Sequence, residues 1–401
     1  MIIIDKLIKR GNDMKKKILF IVSNMESGGF QKSLISLLQC FNYDKYDVDL
    51  LILTPKGIFM EQIPNEVNIV NVDISPKFFM NFPQGAKELT NEKKYLLALK
   101  RTVHFIYSRF NKGYAAIYMA KQIPALNKEY DVAIDYNGQQ ILYYMMDKIK
   151  AKKKITYFHS DYKKWDYYKN ADKIYYPKVD YIVTISDICK ESLDEVFPEC
   201  KDKIRVIHNI SSPMVINSLA EEKCPIKFEK TYTNIIMVGR PSEVKGYDFA
   251  INACKKLKED GLKVRFYSIG TSSDINKFKK MVIDFKLDKE FIFIGETTNP
   301  YTYVKNADIY VHPSRFEGKS VAIDEAKILC KPIVISNFTT AKDHIDNEEN
   351  GLIVDMSSNG VYEGVKRLIN NRILKEKFKN KLKSEKLGNE YEIENLYRLI
   401  N

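Results

Sequence analysis

Short apolar segments alternate with helical segments along almost the whole chain, and the alternation runs as two successive series. The strand-like segments of the first series are 16–25, 48–54, 67–73, 130–136, 153–160 and 179–186, and those of the second are 233–240, 262–270, 290–296, 307–314 and 331–336. These segments are apolar on both faces, which is typical of parallel strands covered by helices on both sides of a sheet. The sequence therefore predicts an α/β protein with two doubly wound, Rossmann-like domains.

The length of the chain agrees with two domains. Single hydrophobic cores stop growing at roughly 250 to 300 residues, and this chain has 401. A polar stretch at 209–231 separates the two series. We expect a first domain over 14–210, with Met14 as an alternative start, a second domain over 211–385, and a final helix in 386–401 that returns to the first domain.

The composition indicates a soluble globular protein. The chain is 45% hydrophobic and 29% charged, and no stretch reaches the roughly 18 to 20 apolar residues that cross a bilayer. The opening segment lacks the long apolar core and cleavage site of a signal peptide, so we expect a cytoplasmic protein. The six cysteines form no C-x-x-C pair, which predicts buried free thiols. A net charge of +12 suits anionic partners, but no nucleic-acid recognition motif is present.

Two cationic side chains follow the first strand of the second series. Arg240 ends the segment TNIIMVGR, and Lys245 stands directly before a predicted helix that begins at Gly246. Ligands bind at the carboxyl ends of the strands in sheets of this type. An arginine and a lysine beside the free amides of a helix start form a receptor for a diphosphate.

Two glutamates, Glu317 and Glu325, flank the turn Gly318-Lys319-Ser320 in the segment SRFEGKSVAIDEA. The turn opens a helix, so its amides offer further phosphate donors, and Glu325 projects from the first half of that helix toward the same loops. A carboxylate accepts two hydroxyl hydrogens at once, which suits the vicinal hydroxyls of a sugar. The alternative is that Glu317 caps a helix and Glu325 is merely solvated.

The ordered motifs GRPSEVKG, PSRFEGKSVAIDEA, KPIV and ENGLIV resemble those of the retaining glycosyltransferases of family 4, in which two Rossmann-like domains of the GT-B fold face each other across a cleft. The resemblance covers most of the chain and is specific over 235–355. It implies that Arg240 and Lys245 clamp the pyrophosphate of a nucleotide sugar. It also implies that Glu325 binds the ribose and Glu317 the donor sugar.

The same resemblance assigns the remaining candidate residues. The other predicted donor-binding residues are Gly28, Gly29, Gly239, Glu296, Gly318, Lys319 and Ser320. The Gly28-Gly29 loop follows the first strand and is similar to the family's glycine loop under the donor phosphates. The resemblance further implies that His159 meets the donor sugar; the alternative is a structural histidine bonded to a backbone carbonyl.

Two further patterns have simpler explanations. Ser186 and Asn209 match positions of the family, but a helix N-cap and a turn residue explain them equally well. Asp47-Val-Asp49 matches the D-x-D pattern of a metal-binding motif, but it lies at the start of a predicted strand. Since the resemblance implies neither an essential metal nor another cofactor, this motif is assigned no role.

The resemblance implies transfer of a hexose, with retention, from a UDP-sugar in preference to a GDP-sugar. The acceptor would be a glycan or lipid-linked saccharide in bacterial surface polysaccharide synthesis. Cations aimed at the leaving diphosphate would lower the barrier. A sugar-nucleotide epimerase of the same architecture and a non-catalytic partner subunit are the alternatives. The sugar, the linkage and the oligomeric state are left open by the sequence.

A basic, apolar segment at 89–112 and a lysine-rich run at 148–154 bear on the acceptor. A basic amphipathic helix can lie on an anionic membrane and so bring an enzyme to a lipid-linked substrate. The alternative is an ordinary domain helix with a solvated face.

Overall fold

The computed structural model describes residues 15–26, 28–164 and 166–401, and the start predicted at Met14 lies outside these ranges. Within them, both predicted series form parallel sheets with helices, so the predicted α/β class is confirmed. No helix of the described ranges is long and apolar enough to span a membrane.

The chain divides into two compact units. The division points are His208–Asn209 and Tyr391–Glu392. The first unit combines the part of the chain before Asn209 with the segment 392–401. The second unit is the segment 209–391.

The first unit contains a seven-stranded parallel sheet. Its strands are β1 (Lys16–Val22), β2 (Tyr46–Ile52), β3 (Val67–Val70), β4 (Glu129–Asp135), β5 (Lys150–Phe158), β6 (Tyr181–Thr184) and β7 (Ile204–Val206). They lie in the order β3-β2-β1-β4-β5-β6-β7, so the strand order reverses between β1 and β4. In the register, Ile18 of β1 pairs with Val48 on one side and Val132 on the other. All three side chains are buried, as expected for the centre of a sheet covered on both faces.

Helices connect these strands. They are α1 (Gly29–Gln39), α2 (Gln84–Asn91), α3 (Tyr95–Phe110), α4 (Lys112–Gln122), α5 (Gln140–Lys148), α6 (Lys169–Tyr175) and α7 (Asp187–Val196). Short 3₁₀ turns lie at Ile58–Gln62, Pro76–Phe79, Tyr162–Lys164, Asp166–Tyr168, Tyr176–Lys178 and Pro198–Lys203. The predicted helical segment 89–112 is interrupted, because the chain turns at Lys93, which has φ of +59°, before α3 begins.

The second unit contains a six-stranded parallel sheet. Its strands are β8 (Thr233–Val238), β9 (Val264–Ile269), β10 (Phe291–Gly295), β11 (Ile309–His312), β12 (Ile333–Ser336) and β13 (Leu352–Val354). They lie in the order β10-β9-β8-β11-β12-β13, and the strand order reverses between β8 and β11. Loops that leave the carboxyl ends of two strands at such a reversal form the usual ligand site of an open α/β sheet.

The helices of the second unit follow the same alternation. They are α8 (Pro213–Ala220), α9 (Tyr247–Glu259), α10 (Ile275–Asp284), α11 (Tyr301–Asn306), α12 (Val321–Ile328), α13 (Ser358–Asn370) and α14 (Arg372–Ser384). One 3₁₀ turn lies at Ala341–Asp343, and another, Glu390–Glu392, spans the second division point.

The last helix, α15 (Ile393–Ile400), packs on the first unit. The Tyr397 ring stacks on Tyr46 at a centroid distance of 5.1 Å and meets the edge of Phe41 at 5.4 Å. The Tyr397 hydroxyl accepts a hydrogen bond from the Asn42 amide at 2.7 Å. Aromatic packing therefore fixes the end of the chain on the unit where the chain began.

Candidate active site

The second-unit site is built where β8 and β11 separate. Gly246 lies at the start of α9 with φ of +66°, a conformation that favours glycine. A Cβ atom at this position would lie 1.9 Å from the carbonyl oxygen of Pro313, in the loop after β11. The missing side chain thus lets the two loops touch, which places Lys245 beside the segment SRFEG.

Lys245 and Glu317 form a two-point ion pair. Lys245 Nζ lies 2.6 Å from Glu317 Oε1 and 2.8 Å from Oε2. Glu317 Oε1 also accepts hydrogen bonds from Ser314 Oγ at 2.7 Å and His312 Nε2 at 2.6 Å. The N-cap of the helix that follows is Ser320, and no side chain caps this helix. The alternative in which Glu317 caps the helix is therefore wrong, and the carboxylate, which is only 8% exposed, is instead a buried anchor for Lys245.

The pKa of Glu317 reflects these contacts. Burial alone would raise it, but the interactions with His312 and Lys245 outweigh burial and hold the pKa well below its usual range. Burial lowers the pKa of His312, so the ring is neutral near pH 7 and donates its Nε2 hydrogen to Glu317. The Nδ1 atom of His312 then accepts from the Tyr310 hydroxyl at 3.2 Å. Glu317 is therefore ionised near pH 7.

The predicted phosphate-binding turn is partly engaged within the protein. The Ser320 amide donates to His344 Nε2 at 3.1 Å. Because Nε2 accepts, Nδ1 carries the ring hydrogen and donates it to Asp324 Oδ1 at 2.9 Å. Gly318 and Lys319 are half-buried, and a Cβ at Gly318 would meet open space. The amides of Gly318 and Lys319, and not that of Ser320, therefore fit the predicted role of anion donors.

Glu325 is buried within α12. It is 4% exposed, and its Oε1 atom accepts a hydrogen bond from the Tyr301 hydroxyl at 2.9 Å. The alternative of a solvated Glu325 is therefore wrong. Burial first, and then the charges of Glu325 and Glu317, raise the pKa of Tyr310 well above its ordinary value. Both carboxylates thus lie close enough to influence the same buried tyrosine.

The remaining second-unit candidates lie in the loops after β8 and β10. Arg240 is exposed, two positions after β8 ends, and Glu296 is exposed directly after β10. The Gly239 carbonyl accepts a hydrogen bond from the Tyr247 hydroxyl at 2.7 Å, which ties the loop after β8 to α9. The side chains of Arg240 and Glu296 are thus exposed to solvent and not packed in the core.

His159 follows β5 in the first unit. Its Nε2 atom contacts the Tyr136 carbonyl at 2.9 Å, so Nε2 carries the hydrogen. Its Nδ1 atom is buried and has no hydrogen-bond partner among the described residues. Burial lowers the pKa of His159 to about 4, so the ring is neutral at pH 7 and Nδ1 is an unused acceptor. The ring stacks on Phe30 at 5.9 Å, directly after the Gly28-Gly29 loop at the start of α1.

Ser186 and the Asp47-Val-Asp49 motif, which were not assigned to the site, have structural roles. The Ser186 hydroxyl caps α7 by accepting from the Cys189 amide at 3.2 Å, as the N-cap interpretation predicts. Asp49 is buried and binds Lys128 at 2.5 Å and Tyr130 at 2.7 Å. Asn209 stands at the division between the two units.

The cysteines form no disulfide within the described chain. Three of them, Cys189, Cys200 and Cys254, are buried, as predicted. The other three are half-buried, so the prediction of buried thiols is correct for only part of the set. They are Cys40, Cys224 and Cys330.

Sequence reasoning missed His312, His344 and Tyr301, which hold Glu317, the Ser320 amide and Glu325 respectively. His312 ends a strand and lies in the motif HPSRFEG, so its position was available as a signal. The other two come from distant segments and become neighbours of the site only in the folded unit.

The chain is similar in sequence to known glycosyltransferases. Residues 220–385 match the family described as "Glycosyl transferases group 1". An N-acetylgalactosaminyltransferase of Campylobacter jejuni that acts on a diphospho-undecaprenol-linked saccharide is 26% identical over 211 residues, which are 52% of this chain and 56% of that protein. A poly(ribitol-phosphate) alpha-N-acetylglucosaminyltransferase of Staphylococcus aureus is 25% identical over 169 residues, 41% of this chain and 34% of that protein. The chain spans about half the length of the first curated relatives it matches, 56% for each of two.

Solved structures define the class of fold. A TarM variant of Staphylococcus aureus, crystallised with UDP, has a TM-score of 0.66 at 16% identity and covers 96% of this chain and all of its own. Anabaena HepE with UDP and glucose has a TM-score of 0.63 at 13% identity and covers 92% of this chain and 94% of its own. The protein therefore has the GT-B fold. The segment that matches the group 1 family model, 220–385, lies within the second unit.

Proposed function

We propose that this protein is a retaining glycosyltransferase of family 4 that moves a hexose from a UDP-sugar to a glycan or lipid-linked saccharide in bacterial surface polysaccharide synthesis. The observation that carries the proposal is the contact of Lys245 with Glu317 at the carboxyl ends of β8 and β11, inside the matched domain. The names of the relatives support a surface polymer as the product, and the UDP complexes of TarM and HepE support UDP as the nucleotide.

Lys245 and Arg240 supply positive charge to the diphosphate. Glu317 holds Lys245 in place before the donor arrives, which removes the cost of ordering a long side chain during binding. The amides of Gly318 and Lys319 add donors beside these cations. As the anomeric bond lengthens, charge accumulates on the diphosphate, and preorganised cations stabilise this charge more than that of the intact donor.

The acidic residues bind hydroxyl groups. Glu317 Oε1 already receives Lys245, His312 and Ser314, whereas Oε2 receives only Lys245 among the described residues. Oε2 is therefore the atom that accepts a hydroxyl hydrogen from the donor sugar. The Glu325 carboxylate, which Tyr301 holds at 2.9 Å, binds the ribose.

The first unit contributes a hydrogen-bond acceptor. His159 Nδ1 accepts from a hydroxyl of the donor sugar, because a neutral imidazole with Nε2 protonated can only accept at Nδ1. This bond would satisfy a buried polar atom that has no partner among the residues described.

The reaction needs no protein nucleophile. The acceptor hydroxyl oxygen forms a bond to the anomeric carbon while the bond from that carbon to the diphosphate oxygen breaks. The acceptor proton passes to the departing phosphate on the same face of the sugar, so the anomeric configuration is retained. Glu317 is engaged by three donors and acts in positioning. Because Arg240 and Lys245 neutralise the diphosphate, we expect activity to persist in excess chelator.

Helix α3 contacts an anionic membrane. Its outer surface exposes the apolar side chains Tyr95, Leu96, Leu99, Ile106, Tyr107 and Phe110, and Phe110 is 84% exposed. Lys100 and Arg109 flank this stripe on the helix. An apolar stripe with basic flanks suits the interface of an anionic bilayer. Phe110→Asp should weaken flotation with anionic vesicles, and equal flotation of this variant and its parent would contradict the contact.

The lysine-rich run at 148–154 does not strengthen this surface. Lys152 Nζ contacts Asp131 at 2.7 Å, Lys153 Nζ the Leu399 carbonyl at 2.6 Å, and Lys154 Nζ the Met146 carbonyl at 3.0 Å. These lysines are used within the first unit, in agreement with the structural alternative for this segment.

One assay tests the proposed function against its alternatives. The protein is incubated with UDP- and GDP-sugars, with and without lipid extract, and released nucleotide and anomeric configuration are followed. A glycosyltransferase releases UDP in an acceptor-dependent manner with a retained product. A changed sugar without an acceptor would indicate an epimerase, and no turnover with any donor would indicate a non-catalytic subunit.

A further inference from the structure

A cavity of about 470 Å³ lies in the first unit, and none of its described lining residues is among those assigned to the donor. It is lined by Ser23 and Asn24, which follow β1, and by the segment 53–56, which follows β2. Helix α4, the 3₁₀ turn Pro76–Phe79, and Gln140 and Ile141 at the start of α5 also line it. Its volume lies in the range of small-ligand sites, roughly 300 to 1,000 Å³, and it opens at the edge of the sheet where ligands bind.

The floor of the cavity is apolar. The side chains that form it are Leu53, Phe79, Met80, Ala116, Met119 and Ile123. Apolar surface of this kind binds hydrocarbon, since each buried CH₂ group contributes about 0.8 kcal/mol.

The charge of the cavity is positive. Lys56 and Lys77 line it, and none of its described lining residues is a carboxylate. Lys56 is exposed and paired with Glu26 at 2.6 Å, whereas half-buried Lys77 forms no hydrogen bond or ion pair with another described side chain. A neutral oligosaccharide is usually held by carboxylates and amides that accept its hydroxyl hydrogens. The lining has two amide side chains, Asn24 and Gln140, and both already form hydrogen bonds within the first unit, with Gln31 and Tyr168 respectively. An apolar floor beside an available lysine instead suits an anion attached to hydrocarbon.

The cavity wall is packed against α3. Met119 belongs to one buried cluster with Phe78, Leu89 and Ala98 of α3. The Met80 carbonyl also accepts two hydrogen bonds from Arg101 of α3, at 3.1 and 2.8 Å. The helix with the exposed apolar stripe and the apolar cavity are therefore one packed substructure, and a hydrocarbon chain leaving the cavity would meet the apolar surface of α3.

We propose that this cavity binds the acceptor and selects a phosphate ester attached to a hydrocarbon chain. Lys77 binds the phosphate, and the side chains of the floor bind the first segment of the chain. The proposal rests on the proposed function, because an acceptor site has meaning only for a transferase.

The test measures binding to the full chain by calorimetry, at ligand concentrations below micelle formation. Farnesyl phosphate should bind at one site, while farnesol and inorganic phosphate should each bind at least about tenfold more weakly, because each lacks one half of the recognised chemistry. Lysophosphatidic acid distinguishes a general lipid phosphate from an isoprenoid one. Equal binding of farnesol and farnesyl phosphate, or no binding of the phosphate ester, would overturn the proposal.

Variants locate the site. Lys77→Ala should weaken farnesyl phosphate about tenfold, while Lys87→Ala, an exposed lysine of α2 outside the cavity, is the matched control. Met80→Asp places a carboxylate in the lining and should abolish binding, and Thr54→Trp at the half-buried rim should do so by obstruction. Circular dichroism confirms that each variant is folded, and unchanged affinity in the folded Lys77 and Thr54 variants would place the ligand elsewhere.

Binding of UDP separates the two proposals. If UDP binds and donor sugars release UDP, but farnesyl phosphate does not bind, the cavity assignment fails and the transferase stands. If farnesyl phosphate binds at the cavity but no donor sugar releases UDP, the transferase fails.

Discussion

Replacing Lys245 with alanine separates the structural role of this side chain from its role in catalysis. Lys245 Nζ contacts both oxygens of Glu317, which is almost fully buried. Removing one partner of a buried ion pair costs about 3–5 kcal/mol. However, the Lys245 side chain is 28% exposed, and His312 and Ser314 still donate to the carboxylate in its absence. We expect a loss of about 2 kcal/mol in the free energy of unfolding.

The loss of turnover should exceed what instability explains. Removing one preorganised donor from a developing anion lowers turnover about 100- to 1000-fold, or about 2.7–4 kcal/mol. A protein of ordinary stability, about 5–15 kcal/mol, stays folded after losing 2 kcal/mol. The defect in the Lys245→Ala variant should therefore be seen with folded enzyme at saturating donor.

Urea unfolding and UDP release measure the two quantities. Lys255→Ala is the matched control, because Lys255 lies on α9 and its 3.8 Å pair with Glu259 is exposed. The control should keep its turnover and change the free energy of unfolding by less than about 0.5 kcal/mol. Glu317→Ala combined with Lys245→Ala should recover part of the stability and none of the turnover. A folded Lys245→Ala enzyme with turnover within about threefold of the parent would show that Lys245 does not stabilise the departing diphosphate.

Three further predictions follow from the same contacts. Glu325→Gln should weaken UDP about tenfold in calorimetry, with a smaller change for Tyr301→Phe; unchanged affinity in the first variant would remove Glu325 from the ribose site. His159 has a pKa of about 4 when folded and about 6.5 when unfolded, so the unfolded state binds more protons between these values and stability falls as pH drops from 6.5 to 4. His159→Gln should flatten this part of the stability curve, and an equally steep curve would contradict the buried neutral ring. Gly246→Ala should lose at least about 2 kcal/mol, whereas Gly261→Ala, with φ of +77° but open space, should lose only about 1 kcal/mol; equal losses would mean that the close approach of the two loops does not restrict position 246.

The fold was accessible from the sequence because its central strands are buried on both faces. Ile235 of β8 and Ile309 of β11 are fully buried neighbours, and each lies in an unbroken apolar run. The two strands that were missed, β7 and β13, have three residues each and lie at sheet edges. Periodicity is not recognisable over so short a segment.

For the candidate site, the sequence predicted the residues but not the contacts between them. The motifs named Lys245 and Glu317, which lie 72 positions apart, but their ion pair depends on the pairing of β8 with β11. The engagement of the Ser320 amide by His344 could not be predicted, because it depends on how the loop after β12 folds back on α12. The sequence therefore predicted which charged residues lie in the loops of the site. Their hydrogen-bond partners could be identified only from the folded structure.

The most direct test of the central claim is calorimetric titration of UDP into the parent protein and into the Arg240→Ala, Lys245→Ala and Lys255→Ala variants. We expect saturable binding at one site in the parent, binding at least about tenfold weaker in the first two variants, and parental affinity in the third. Absence of UDP binding to the parent, or equal affinity in all four proteins, would contradict the claim.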